Sequence, residues 1–352
     1  MKIGVYIHNV PQHIGGGYTI QWDIFQAFVR LAHKSKHEFV VFCDKENERD
    51  VAIALKDETI PLVVYQRTFS DRLISLFYYE VPVFRRKWKM RTKFEKLALK
   101  SGVQFMWFVG SVGYFLDTIP YIGIVYDLTH RTHPWFPEVS ANGEYMGREI
   151  FYSWFLRRAY KIIVGTKVGK DEIEKFYQIP SERIKILPHP TPSYYLKISS
   201  VGVDRSILEK YKIPDNYLFY PAQFWTHKNH VNLLIAVKIL EEKYNLKFPV
   251  VFVGSDKGNM EYVKYYANYL NLSSRVYFLG FVPQSDMVQL YKSAFALTYV
   301  SFCGPENLPP LEAFALGCPV IAADILGARE QLGDAALFVD PTNPTDIALG
   351  IK

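Results

Sequence analysis

The sequence predicts a two-domain α/β protein in which each domain is a parallel sheet covered by helices, and three observations point there. The chain has 352 residues, 49 % of them apolar and 22 % charged, which is more than a single core holds and suits two domains of roughly 150 to 200 residues. Short β-branched and aromatic runs alternate with helical patterns from end to end. Strands buried on both faces need crossover helices to bring the chain back in parallel. Between two such series lies Pro188-His189-Pro190-Thr191-Pro192, which neither a helix nor a central strand tolerates. The boundary therefore falls near 190, giving Rossmann-like domains over 1–190 and 191–352.

The expected strands of the first domain are 3–7, 39–42, 62–65, 105–108, 123–126, 161–164 and 184–187. Those of the second are 218–220, 250–253, 276–279, 295–298 and 320–323. In open parallel sheets ligands bind beyond the carboxyl ends of the strands, so two such sheets are expected to face each other across a cleft. After the first strand come Gly15, Gly16 and Gly17, then a helical run from Ile20 to Leu31. Glycines there let backbone N–H groups approach a phosphate at a helix start. The third glycine of a dinucleotide fingerprint is absent, because Ile20 stands at its position. Asp44, ending the second strand, is the acid that a nicotinamide-binding domain would offer to a ribose, so a two-domain NAD-dependent oxidoreductase is an open alternative.

Composition narrows the class further. Twenty-one Gly and 20 Pro without a period, with 25 Tyr and 25 Phe, exclude collagen-like, coiled-coil and disordered chains. Cys43, Cys303 and Cys318 form no C-x-x-C pair, so neither a disulfide framework nor a zinc site is indicated. The longest apolar stretch, 105–116, falls short of the roughly 18 to 20 residues that span hydrocarbon. The start carries no secretory pattern, and a cytoplasmic location is expected. The formal charge of +6 comes from the first half. It is concentrated in Arg85, Arg86, Lys87, Lys89, Arg91, Lys93, Lys96 and Lys100, interleaved with Phe84, Trp88, Met90, Phe94 and Leu97. This reads as a basic amphipathic helix over 85–100, which can lie on an anionic membrane surface or simply pack on the sheet. No recognition motif for nucleic acid accompanies it.

The most specific pattern is Ser301-Phe-Cys-Gly-Pro-Glu-Asn-Leu-Pro-Pro-Leu-Glu-Ala-Phe-Ala-Leu-Gly-Cys-Pro-Val-Ile321. Pro309 and Pro310 pre-set a first helical turn, Gly317 stops the helix and Pro319 prevents its continuation. The unpaired N–H groups of the helix start, with those of Asn307 and Leu308, are expected to form an anion-binding edge. Glu312, read in the first turn, can accept hydrogen bonds from a vicinal diol such as a ribose, or merely complement the helix dipole.

This block resembles the signature of family 4 retaining glycosyltransferases of the GT-B fold, the glycosyl transferases group 1. The resemblance continues through Tyr220-Pro221-Ala222-Gln223 to Lys228, through Val251 to Gly254 and Val276 to Val282, and through Leu326 to Glu330. Aligned on Glu312, the family's first glutamate position carries Gly304, and Glu306 is its candidate replacement against the donor hexose. Gln223 stands at the diphosphate-binding arginine position, leaving Lys228 as the cation there. The family's His-Asp after the first-domain strand reads Tyr126-Asp127. The chain stops at Lys352, before the crossover helices with which this fold ordinarily closes.

The resemblance implies transfer of a hexose, with mannose favoured, from a nucleoside diphosphate sugar to a glycan or lipid-linked acceptor in surface polysaccharide synthesis. A GDP-sugar is preferred over a UDP-sugar, with no cofactor and no metal, since no Asp-x-Asp occurs. The candidate catalytic residues are Lys228, Glu306 and Asp127. The candidate donor-binding residues are Gly16, Gly17, Gln223, Lys228, Val282, Glu306, Asn307, Leu308 and Glu312. A sugar-nucleotide-binding protein without activity is a further alternative, because the first glutamate is displaced.

Overall fold

The computed structural model describes residues 1–11, 15–68 and 91–352. They pack into two compact units, one formed by 1–128, 146–165 and 169–187, the other by 129–145, 166–168 and 188–352. The short segments 129–145 and 166–168 thus pack with the second unit although they lie within the first in sequence.

Among the described residues the first unit holds seven strands, β1 (Lys2–Ile7), β2 (Glu38–Asp44), β3 (Leu62–Tyr65), β4 (Phe105–Phe108), β5 (Tyr121–Ile124), β6 (Lys161–Val164) and β7 (Ile184–Ile186). Every pairing is parallel, in the order β3-β2-β1-β4-β5-β6-β7. Successive side chains of a strand point to opposite faces, so Val5 and Ile7 enter one core with Phe25 and Val41, while Tyr6 enters the other with Phe42, Phe94 and Phe108. Both faces are covered by helices, which is why the strands read as near-continuous apolar runs.

The second unit has β8 (Leu218–Pro221), β9 (Val250–Val253), β10 (Val276–Phe278), β11 (Ala296–Tyr299), β12 (Val320–Ala323) and β13 (Leu337–Val339), again all parallel, in the order β10-β9-β8-β11-β12-β13. In each sheet the strand order reverses once, between β1 and β4 and between β8 and β11. Those switch points are where an open α/β sheet leaves a crevice at its carboxyl edge.

The structure corrects several boundaries. The strand expected at 123–126 spans Tyr121–Ile124, because pairing starts directly after Pro120 with Met106 opposite Tyr121. The first helix runs Gly16–Ala32, so Gly16 and Gly17 are its opening residues and only Gly15, at φ 81°, is left before it. The helix expected over 85–100 is described only from Arg91 onward. Thr92 caps Lys93–Lys100 by accepting the Glu95 N–H at 3.1 Å, and Phe94 is fully buried. The basic residues 85–90 lie outside the described residues. No helix among the described residues is long and apolar enough to cross a membrane.

Candidate active site

The loops after β8 and β11 meet at the switch point of the second sheet. The turn Thr226–Lys228 is tied to the segment after β11 by the Phe302 N–H, which donates to the His227 carbonyl at 2.9 Å. The Ser301 hydroxyl also reaches that carbonyl, at 3.3 Å. Asn229 follows in the left-handed region at φ 57°, a conformation that asparagine tolerates better than most residues. Its buried amide donates to the carbonyls of Val300 and Pro341, both at 2.8 Å. The turn that carries Lys228 is therefore fixed from two sides.

Lys228 lies with its Nζ 3.4 Å from Asn307 Oδ1 and 5.2 Å from the centre of the Tyr299 ring. No carboxylate pairs with it among the described residues. Asn307 caps the helix Leu308–Ala315 and is held on both sides by Gln331, whose side-chain oxygen accepts the Asn307 N–H and whose NH2 donates to the Asn307 carbonyl, each at 2.9 Å. The sequence gives no local hint of Gln331, which stands 24 residues downstream. This corrects one expectation: the Asn307 N–H already has a partner, and Pro309 and Pro310 carry no N–H at all. Leu308, 6 % exposed, supplies the one N–H left over at the helix start, since that of Leu311 belongs to the first intrahelical turn.

Glu312 is the second correction. It sits one turn into the helix rather than in its first turn. Its carboxyl is buried and accepts the Tyr291 hydroxyl at 2.7 Å. Burial pushes it up to about 7, with the Tyr291 hydrogen bond acting in the opposite direction.

Glu306 faces the Pro188–Pro190 segment. Its Oε1 accepts the His189 N–H at 2.8 Å, and its Oε2 lies 3.5 Å from His189 Nδ1. Burial raises this carboxyl to about 7 and lowers the His189 imidazole to about 4. The ring is neutral at pH 7, so the Nδ1–Oε2 contact is not an ion pair, and the hydrogen bond joining the two residues is the one from the His189 N–H. Gln223 has both ends engaged, its NH2 donating to Ser255 Oγ at 3.1 Å and its oxygen accepting from Trp225 Nε1 at 3.0 Å. Val282 is buried just before Pro283, at the start of the helix that follows β10.

The remaining sequence candidates lie in the first unit. Gly16 and Gly17 open the Gly16–Ala32 helix. Asp127, expected at a strand end, lies in the loop beyond β5 and accepts from Arg148 Nη1 at 3.2 Å. Asp44 does not stand ready for a ribose, since its two oxygens are taken by Tyr6, His8 and the Asn9 N–H. That removes the observation on which the oxidoreductase alternative stood.

One residue that the sequence did not suggest belongs with this loop. Glu138, on the short helix Pro137–Ser140, accepts both the His227 N–H, at 2.9 Å, and the His227 ring Nδ1. Beside it Phe136 stacks on Phe302 with ring centres 5.9 Å apart, and Val139 and Cys303 complete a small apolar cluster. Burial works against the Glu138 charge, but the His227 hydrogen bonds outweigh it and hold the carboxyl below its usual range. Among the described residues no group of three or more His, Cys, Asp or Glu could hold a metal ion.

Residues 204–352 match the family model described as Glycosyl transferases group 1. The matched residues lie within the second unit. The chain is similar to the O-antigen chain mannosyltransferase RfbU of Salmonella typhimurium, 27 % identical over 209 residues, which are 58 % of this chain and 55 % of that one. It is 26 % identical over 208 residues to O-antigen chain mannosyltransferase B of Escherichia coli, covering 59 % and 54 % of the two chains. The chain thus spans about half the length of the curated relatives it matches. Among solved structures, a glycosyltransferase from Rickettsia africae superposes with a TM-score of 0.68 at 15 % identity, over 99 % of this chain and 86 % of that one. Anabaena Alr3699/HepE in complex with UDP-glucose superposes with a TM-score of 0.66 at 17 % identity, over 100 % and 88 %. These likenesses establish the GT-B fold of two Rossmann-like domains. Within the matched residues the switch-point loops are the segments that carry Gln223, Lys228 and Asn307.

Proposed function

We propose that the chain is a retaining glycosyltransferase that moves a hexose, mannose in this reading, from GDP-mannose to a glycan or lipid-linked acceptor in surface polysaccharide synthesis, without a metal ion. The observation that carries this reading is Lys228, an ammonium without a carboxylate partner held at the mouth of the Leu308–Ala315 helix. A cation beside a helix N-terminus favours an anion on both counts, and the leaving group of a sugar nucleotide is a diphosphate. Support also comes from the group 1 match and from the likeness to O-antigen mannosyltransferases.

In this reading Lys228 and the Leu308 N–H hold the diphosphate, and Gln223 adds its amide once it lets go of Ser255; Gly16 and Gly17 are assigned to donor binding on their sequence pattern alone. Val282 contributes backbone contact to the base, and Glu312 accepts the ribose hydroxyls. The bond from C1 of the hexose to the phosphate oxygen breaks, and its electron pair leaves with the diphosphate. The acceptor oxygen forms the new bond to C1 on the same face, and its proton passes to the departing phosphate oxygen. Stabilising charge where it develops is the main task of such a site, and no side-chain base is then obligatory. Asp127 and Glu306 are assigned to positioning the sugars. On sequence charge alone, 85–100 is assigned to an anionic membrane surface.

Thermal-shift screening with GDP-, UDP-, dTDP- and ADP-sugars tests the donor. A nucleotide at 100 times its Kd adds about 2.7 kcal/mol of stability to the state that binds it. GDP-mannose is expected to give the largest shift, and Lys228→Ala to abolish it. Equal shifts in the parent and the variant would defeat the reading. A second reading, a sugar-nucleotide-binding protein without transfer activity, is favoured by the engagement of Glu306 with His189. Release of free mannose from bound GDP-mannose separates the two.

A further inference from the structure

We propose that His8, oriented by Asp44, is a sugar-hydroxyl-binding residue at the switch point of the first sheet, and that it belongs to the acceptor site of the transfer reaction; this rests on the reading above. His8 follows β1 directly, at the carboxyl edge where β1 and β4 lie side by side and the strand order reverses. A parallel sheet receives its ligand at such a place. The counterpart in the second sheet is already filled by the Lys228 loop.

The chemistry of His8 is set by its neighbours. Asp44, at the end of β2, places Oδ2 2.7 Å from His8 Nδ1 and 2.8 Å from the Asn9 N–H that donates to it. Its Oδ1 accepts the Tyr6 hydroxyl at 2.8 Å and faces the Tyr114 hydroxyl at 3.5 Å. A carboxylate can only accept, so Nδ1 of His8, which also lies 3.2 Å from the Tyr6 hydroxyl, carries a proton, and in the neutral form of the ring Nε2 presents a lone pair. The backbone is pinned as well, since Gln21 Nε2 donates to the His8 carbonyl at 2.6 Å. Nε2 has no partner among the described residues, and the side chain is 34 % exposed.

This is a fixed ring with one acceptor left over at a ligand-binding edge. A histidine held only for structure has no need to leave that nitrogen open. The adjoining Asp44 carboxylate repels an anion, and with the hydroxyls of Tyr6 and Tyr114 beside it the surroundings suit a neutral polyol. Hydroxyl donors on a sugar meet that description, and a diphosphate does not. Asp44 acts through His8 and is a positioning residue.

The test is a titration of the full chain, labelled with ¹⁵N at histidine, using methyl α-mannopyranoside alone. Saturable movement of the His8 Nε2 resonance is expected in the parent, and the Kd for the hexoside, read by isothermal titration in both proteins, is expected to rise about tenfold in His8→Ala, the effect of one lost hydrogen bond of about 1.4 kcal/mol. In Asp44→Asn the amide donates to Nδ1, and Nε2 is expected to acquire the proton and to shift towards the pyrrole-like range, with the sugar affinity falling alongside. A separate arm measures stabilisation by GDP-mannose, which His8→Ala is expected to leave within twofold in affinity. If the hexoside leaves Nε2 unmoved, or binds His8→Ala as it binds the parent, the acceptor site is overturned while GDP-mannose stabilisation keeps the donor reading. If no sugar nucleotide stabilises the parent, the donor reading fails, and the Nε2 titration still decides whether His8 binds a sugar.

Discussion

Glu312 is buried in the folded chain and is assigned to the ribose in the proposed reading, and because those two demands pull in different directions the residue is directly testable. Its carboxyl would ionise near 4.5 if exposed, and burial lifts it to about 7 in the folded chain. Between those values the unfolded chain gives up the proton while the folded one keeps it. Stability contributed by this group is therefore fully present below about 4.5, falls as the pH climbs to about 7, and is level above. Glu312→Gln keeps an oxygen that can accept the Tyr291 hydroxyl but has no charge to bury. The unliganded variant is expected to match the parent at pH 4.5 and to exceed it by on the order of 2 kcal/mol at pH 8, measured by urea unfolding. The same variant is expected to lose most of the GDP-mannose stabilisation. Parallel pH profiles for parent and variant would show that the carboxyl is solvated, and undiminished nucleotide binding would take it out of the ribose site.

At the scale of the element, the turn Thr226–Lys228 depends on a helix that lies far from it in sequence. Glu138 holds both the N–H and the ring of His227 from the Pro137–Ser140 helix. Removing that carboxylate leaves a buried N–H without a partner, which costs roughly 1 to 3 kcal/mol. Glu138→Ala is expected to weaken GDP-mannose binding about tenfold with no contact to the nucleotide, while Glu138→Gln, which can still accept one hydrogen bond, recovers part of it. Isothermal titration decides, and unchanged affinity in Glu138→Ala would show that the turn stands by itself. What the sequence disclosed follows the same division between local and distant. Strands such as 62–65, 105–108, 161–164 and 250–253 were legible to the residue, because a doubly buried strand is a continuous apolar run. β13 was not, being three residues long with Leu337 about half exposed. The loop around Lys228 and Asn307 was legible because its signature is contiguous. Glu138, Gln331 and the His8–Asp44 pair were not, since their partners lie 89, 24 and 36 residues away in sequence. Only the position of His8 directly after a strand offered a signal that could have been read.

At the scale of the whole molecule, each large apolar cluster among the described residues is drawn from a single unit. The clusters around Tyr6 and Phe155 and around Val5 and Phe25 are drawn from the first unit, and that around Tyr220 and Phe252 is drawn from the second. A change that overpacks one core should therefore leave the other intact. Gly123, in the middle of β5, is the place to apply it, since a Cβ there would stand 2.2 Å from Cε1 of the fully packed Phe155 ring. Phe155 is itself wedged against Phe108, Tyr121 and Phe151 with ring centres 4.7 to 5.6 Å apart, so it cannot swing aside without moving them. Gly123→Ala is expected to destabilise the first unit by about 1 to 3 kcal/mol, the usual penalty for overpacking. Hydrogen exchange should show the amides of β4, β5 and β6 opening roughly 5- to 150-fold faster, the rate equivalent of that penalty, with β8, β9 and β11 unchanged. Equal acceleration in both sheets would mean that the two cores unfold as one cooperative body, and then a stabilising nucleotide on the second unit would protect the first to the same degree.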